Sequence, residues 1–388
     1  MVRENEGPIQ LGMAKRALAA SGLSHLTERE VASVSLVEAH ARVVDLFQLL
    51  KVRGKAPGYL SSPRALAASL LGENLKLSKS ALTPASPVSE TANVRIVGLN
   101  LLPADKLFTE YPTEYPTSPL LPILKNSGPF GMRTLCAGSN AMCRGSCLVF
   151  TGNNAVIPYN DHRKAVVTTA LLRDPVAFVR LLVEAIRIHV DISRRAGKGL
   201  LIRLNMLSDI PWELFTPWLF TTFSDVRFYD YTKVGDRTPP INYDLTYSYS
   251  GTNTNMAKRE LYRNNRRVAM VFLGMRKKNG QWVAFQSGTR FPAMFDLWGE
   301  PRRIVNADVN DARPLDPPNP LDDLACIAGL RWKTPMGQNI NPNKDYAFVT
   351  PAYLLTRDDG VQLQHPDEEG LIVAPVTPRA QQAEGMET

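Results

Sequence analysis

Apolar residues recur every three or four positions through the first part of the chain, and that period predicts helix. The segments "AKRALAAS", "LTEREVASVSLVEAHARVVDLFQLLK" and "SSPRALAASLLGEN" are rich in Ala, Leu and Glu. In the second, Val31, Val34, Val37, Ala41, Val44 and Phe47 fall along one face of a single long helix, and Leu49 and Leu50 close the run. Thr27, with Glu30 three residues on, supplies the residue pair of a capping box at its start. From Ser78 to Asn93 the chain is poor in apolar residues and carries two prolines, the composition of a linker. Residues 1–90 are therefore expected to form a helical arm or small helical domain plus linker, with few contacts crossing to the rest.

Beyond residue 90 the period shortens to that of strands, interrupted by helix. Strand-like runs lie at Val94–Leu102, Cys147–Phe150, Leu200–Leu207, Val226–Lys233, Tyr243–Ser250, Arg267–Gly274, Arg302–Asp308 and Leu324–Trp332. Asp174 and Pro175 suit an N-cap and first helical position, and Val176, Val179, Val183, Ile186 and Val190 continue a helical stripe that stops near Gly197 and Gly199. A strand, a helix and a strand in succession imply a crossover between parallel strands. The expected class is α/β: a partial (β/α) barrel or mostly parallel sheet over residues 91–356, after the helical domain. The polar, Pro-rich residues 357–388 read as a tail.

With 44% hydrophobic residues in 388 the chain can bury a sizeable core. It has no apolar run near the roughly 20 residues that cross a bilayer, and "MVRENEGPIQ" lacks a secretory apolar segment. The expectation is a protein of the reducing cytoplasm, without a membrane partner, whose thiols remain available for metal. A formal charge of +8 and a pI near 9.3 favour contact with nucleic acid or another polyanion. Residues 1–80 hold eleven Lys or Arg against seven Asp or Glu, with Lys51, Arg53, Lys55 and Arg64 close together. Lys258, Arg259, Arg263, Arg266 and Arg267 form a second basic run, readable as a solvated helix face or as a phosphate-contacting one.

Chemistry is concentrated in "TLCAGSNAMCRGSC", where Cys136, Cys143 and Cys147 fall within twelve residues; the chain has four cysteines in all. Small, turn-permissive residues between them leave the backbone able to fold around an ion. Three clustered thiolates suit an iron-sulfur cluster with one iron left open, or a zinc site completed by Cys326 or His162; the same residues also read without metal, as small half-buried cysteines or one disulfide and an orphan. Phosphate-binding Gly-rich loops, nucleophile elbows and paired-histidine motifs are absent. His189, beside the apolar stripe of its helix, reads as a surface or interface histidine. If the strands are parallel, their carboxyl ends share one face, where such folds place their chemistry. The polar residues in or just after these ends are Arg203, Asn205, Ser208 and Asp209, then Tyr231 and Lys233, then Ser248 and Ser250, then Asp308 and Asp311, and finally Lys333.

The cysteine loop, "NMLSD", "FYDYTK", "LTYSYSGTN" and "NADVNDARPLD" occur in an order that resembles the phage gene-product-88 family, over about residues 130–335. That family looks like a reduced relative of the radical S-adenosylmethionine barrels. The resemblance implies a partial barrel with a 4Fe-4S cluster on Cys136, Cys143 and Cys147, and S-adenosylmethionine at its open iron. It also implies cofactor contacts from Arg203, Asn205, Ser208 and Asp209, and substrate contacts from Tyr231, Lys233, Asp308, Asp311 and Lys333. The other reading of the residues is a nucleic-acid-binding or replication-associated phage protein with structural zinc.

Overall fold

A computed structural model describes residues 7–49, 58–73, 94–103, 134–140, 143, 147, 158–250, 253–278, 281–285, 294–297, 300–308, 311–331, 349–354 and 372–373. The chain divides into two compact units, residues 1–139 with 152–245 and residues 140–151 with 246–388. Among the described residues no helix is long and apolar enough to cross a membrane.

The first unit opens with helices α1 (Gly7–Ser21), α2 (Glu28–Ala32), α3 (Leu36–Leu49) and α4 (Pro63–Leu70). Thr27 and Glu30 form the expected capping box. The single long helix expected from residue 28 is instead two, because the chain turns at Ser33–Ser35 and restarts with the Ser35 side chain accepting from Glu38 N–H. The break rephases the apolar stripe. Val31 is buried before it, Val34 within it and Ala39, Val43 and Phe47 after it, while Val37 is 69% exposed.

Strand β1 (Leu71–Gly72) pairs antiparallel with β2 (Val94–Leu99), and β2 pairs parallel with β3 (Gly199–Arg203). Helices α5 (Pro158–Arg173) and α6 (Pro175–Arg195) lie between β2 and β3 in sequence. Asp174 caps α6 by accepting from Ala177 N–H, with Pro175 behind it, as its sequence predicts. α6 packs on α3, α4 and α5, and its Phe178, Val179, Leu182 and Ile186 are buried. Short helices α7 (Trp212–Phe215) and α8 (Trp218–Thr222) return the chain to β4 (Arg227–Thr232), parallel to β3.

The arm is not set apart. Leu26 N–H donates to Phe215 O at 2.8 Å, Trp218 Nε1 donates to Leu26 O at 2.7 Å, and Arg180 Nε donates to Val34 O at 3.2 Å. The compact units do not divide near residue 90: α2, α3 and α4 pack on α6, α1 packs on α7, and all four belong to the unit of β2–β4.

Strand β5 (Tyr243–Ser248) runs across the boundary between the units. In the second unit α9 (Thr254–Lys258) continues into a π-helical turn, Arg259–Arg263, before β6 (Val268–Lys278). β6 pairs parallel with Tyr247–Ser248, with β10 (Ile327–Arg331) and with β11 (Val349–Leu354), and antiparallel with β7 (Gln281–Phe285). β9 (Glu300–Asn306) joins β10 in parallel and β8 (Met294–Leu297) antiparallel, while β12 (Ile372–Val373) pairs with β11. Tyr247, Leu261, Val268, Met270, Phe272 and Ile327 form its core. The fold is α/β with mostly parallel pairing in its sheet, as expected. Of the expected strand at residues 147–150 all but Cys147 lies outside the described residues, as does, β12 apart, the expected tail at 357–388.

Candidate functional site

Polar side chains gather where β3 and β4 end. Asn205, 1% exposed, is the hub of the turn after β3. Its backbone N–H donates to Asp230 Oδ1 at 2.6 Å, and its Nδ2 donates to Ile210 O at 3.0 Å and Asp230 Oδ2 at 3.0 Å. Its Oδ1 accepts from Ser208 Oγ at 2.9 Å, Ile210 N at 2.9 Å and Trp212 Nε1 at 3.3 Å. The hydrogen-bonding capacity of this amide is spent inside the protein, and Ser208 is spent on it. Asn205 and Ser208 thus hold the turn in shape, and this is where the structure puts two of the four residues expected at a cofactor.

Asp230, fully buried on β4, also accepts from the Tyr243 hydroxyl at 2.6 Å. Burial pushes its carboxyl up to about 7, against the downward pull of the Tyr243 hydroxyl, Arg203, the Asn205 N–H and Arg237. Burial likewise drives the Tyr243 hydroxyl well above its ordinary value, with the charge of Asp230 adding to it. Phe220 stacks on the Tyr243 ring at 4.7 Å between centroids and fixes its plane.

Arg237 is a second hub of buried charge at the site. Asp236 before it adopts a left-handed φ of 55°, which Asp tolerates better than most residues, and the chain turns inward there. The guanidinium grips Glu213 on α7 with Nε to Oε1 at 2.8 Å and Nη2 to Oε2 at 2.5 Å, and reaches Asp209 Oδ1 at 3.4 Å. Asp209 Oδ2 accepts from Lys233 N–H at 2.7 Å. Asp209 N–H donates to Leu135 O at 2.6 Å. One carboxylate therefore joins the ends of both strands, and its backbone reaches the start of the cysteine loop. Arg203 lies over the Tyr231 ring, 4.7 Å from its centroid, and both side chains are half-buried.

Of the three clustered cysteines, Cys136 belongs to the first unit and Cys143 and Cys147 to the second. The Cys136 thiol donates to Leu207 O at 3.2 Å, and Thr134 Oγ1 accepts from its N–H at 3.0 Å. Gly138 lies so close to β4's end that an added Cβ would stand 2.7 Å from Lys233 Cβ. Cys143 N–H donates to Asn140 Oδ1 at 2.8 Å, and Asn140 Nδ2 reaches Ser250 O at 3.4 Å. All three cysteines are half-buried, and none is in a disulfide. Cys326 differs: it is buried at the entry to β10, and burial pushes its thiol up to about 12. Among the described residues no three His, Cys, Asp or Glu side chains converge as a ligand set. The side chain of His162, the other candidate fourth ligand, lies outside the described residues.

The remaining expected residues fall in the second unit. Asp308 Oδ2 accepts from Arg331 N–H at 2.6 Å and pairs with its guanidinium at 3.6 Å, tying the end of β9 to β10. Asp311 is buried at 3% exposure, and Lys333 lies outside the described residues. The basic run does not present one continuous face, since Arg266 pairs with buried Glu260 and Arg267 with buried Asp316 at 3.9 Å. In the first unit His189 is buried rather than on the surface. Its Nδ1 lies 2.7 Å from Arg95 Nη1, and burial, then the Arg95 charge, holds its pKa down.

Sequence reading missed Asp230, Tyr243, Glu213 and Arg237. The available signal was a carboxylate inside the aromatic strand "FYDYT", where a buried charge demands partners.

No curated protein and no solved structure matches the chain. A protein family does match, and its match spans residues 103–323, more than half of the length. That span takes in the cysteine loop, the turns after β3 and β4, and both Asp308 and Asp311. On this ground the chain belongs to the gene product 88 family, the phage family that its motifs resemble.

Proposed function

We propose that this is an iron-sulfur protein whose cluster is held by Cys136, Cys143 and Cys147. The observation that carries the reading is the contrast among its cysteines. Three half-buried thiols sit within one stretch of twelve residues, while the fourth is buried and held protonated. Cys326 is buried and far from the loop in sequence, whereas three soft thiol donors on one short loop suit an open cluster. When bound, a cluster of this kind supplies a coordination site and an electron to S-adenosylmethionine, the chemistry of the barrels that the family resembles. In this reading Arg203, half-buried after β3, receives the cofactor's carboxylate, and Lys233 faces substrate. Asn205, Asp209 and Asp230 keep the strand ends in register beneath them.

The test is anaerobic isolation followed by metal analysis. The expected sample is brown and contains iron, because thiolate-bound ferric iron absorbs visible light and zinc, with its filled d shell, does not. Cys143→Ala should lose the iron and Cys326→Ala should keep it. Stoichiometric zinc in a colourless folded sample that takes up no iron would overturn the proposal in favour of a structural zinc site.

A further inference from the structure

Asp209 and Arg237 make contacts that the strand ends alone do not require. Arg237 is fully buried, and a buried guanidinium is costly unless its partners are held in place. Its bidentate grip on Glu213 orients the fork, and its Nη1 lies 3.4 Å from Asp209 Oδ1. Asp209 in turn fixes Lys233 N–H through Oδ2, and its own N–H holds Leu135 O, one residue before Cys136. Two residues before Asp209, Leu207 O accepts the Cys136 thiol. Ala137, next in the loop, packs with Leu214 and Val234 against Ala14 and Ala17 of α1. The first cysteine is thus seated at both its backbone and its sulfur by the turn that Asp209 organises.

We infer that Asp209 and Arg237 are positioning residues that hold the Cys136 thiol at the carboxyl end of β3. This deepens the proposed function, since the bond from Asp209 N–H to Leu135 O places the first cysteine's backbone for metal while the thiol gives up its hydrogen bond on ligating as thiolate, and the seating rests on contacts within the first unit alone. Glu213 completes the arrangement by fixing the guanidinium. The thiol hydrogen bond shields the sulfur, so loosening the turn should raise its reactivity without touching Cys143.

The experiment uses the full-length, metal-stripped chain. Iodoacetamide alkylation of Cys136 and Cys143 is followed peptide by peptide, with amide exchange of α6 as the check that the first unit is folded. Asp209→Ala should speed alkylation of Cys136 about fivefold, the scale of one lost hydrogen bond, and leave Cys143 unchanged. Asp209→Asn keeps an oxygen for Lys233 N–H and should restore most of the wild-type rate. If Asp209→Ala exposes α6, Glu213→Gln decides, since it weakens the grip on Arg237 while retaining both positioning side chains; it should again speed Cys136 selectively. Cys136 and Cys143 moving together, or Cys136 unchanged in the folded variants, would overturn the assignment. Iron content is read separately. Wild type without iron removes the proposed function and leaves the labelling result to judge the positioning role. Wild type with iron should become a weaker iron binder in Asp209→Ala.

Discussion

Asp230 carries the opposing demands on a buried carboxylate. It accepts from the Asn205 backbone, the Asn205 amide and the Tyr243 hydroxyl, an arrangement suited to the ionised form, yet burial outweighs these donors and holds its pKa at about 7. An unfolded Asp ionises near pH 4. Between about pH 4 and about pH 7 the folded state therefore keeps a proton that the unfolded state has released. The contribution of this residue to stability is greatest at the acid end and falls as pH rises through that window, then levels off. Asp230→Asn cannot titrate, so its deficit relative to wild type should shrink between pH 4.5 and pH 7.5 in urea unfolding. An equal deficit at both pH values would mean that Asp230 is ionised throughout.

At the scale of elements, the turn at Ser33–Ser35 decides which face of α3 is buried. Val37→Ser should change stability by no more than about 0.5 kcal/mol, since that side chain is largely in water. Phe47→Ala on the same helix should cost about 3–5 kcal/mol, because Phe47 is 6% exposed and packed. Urea titration of the two variants separates the observed stripe from the continuous one that the sequence predicts. Helix α6 meets β2 through His189 and Arg95, and Arg95 also pairs with Glu73. The folded histidine resists protonation, so the unfolded state binds the extra proton below about pH 6.5 and this contribution is lost as pH falls. His189→Gln retains an acceptor for Arg95 and should lose less stability than wild type between pH 7 and pH 5. A steeper loss in the variant would sink that reading.

For the whole molecule, the helices before residue 73 are structural parts of the first unit. α3 and α4 cover α6, Leu26 bonds to the α7–α8 segment, and β1 is paired to β2. Deleting residues 1–90 should therefore expose the apolar face of α6 and yield aggregated protein, read by light scattering and loss of the cooperative melt. A soluble, cooperatively folding remainder would restore the separate-arm view. What the sequence by itself determined were features set by near neighbours: the Thr27 and Asp174 caps, the helical and strand periods, the parallel pairing implied by crossovers, and the clustering of three cysteines. What only the tertiary structure decided were meetings between distant positions. Asp230 with Asn205, Arg237 with Glu213, and Leu26 with Trp218 lie 25, 24 and 192 residues apart. The burial of His189 and the place of the first four helices belong with them. Local periodicity reports which face of an element is apolar, whereas the partner of a buried charge is settled by the packing that removes water from both.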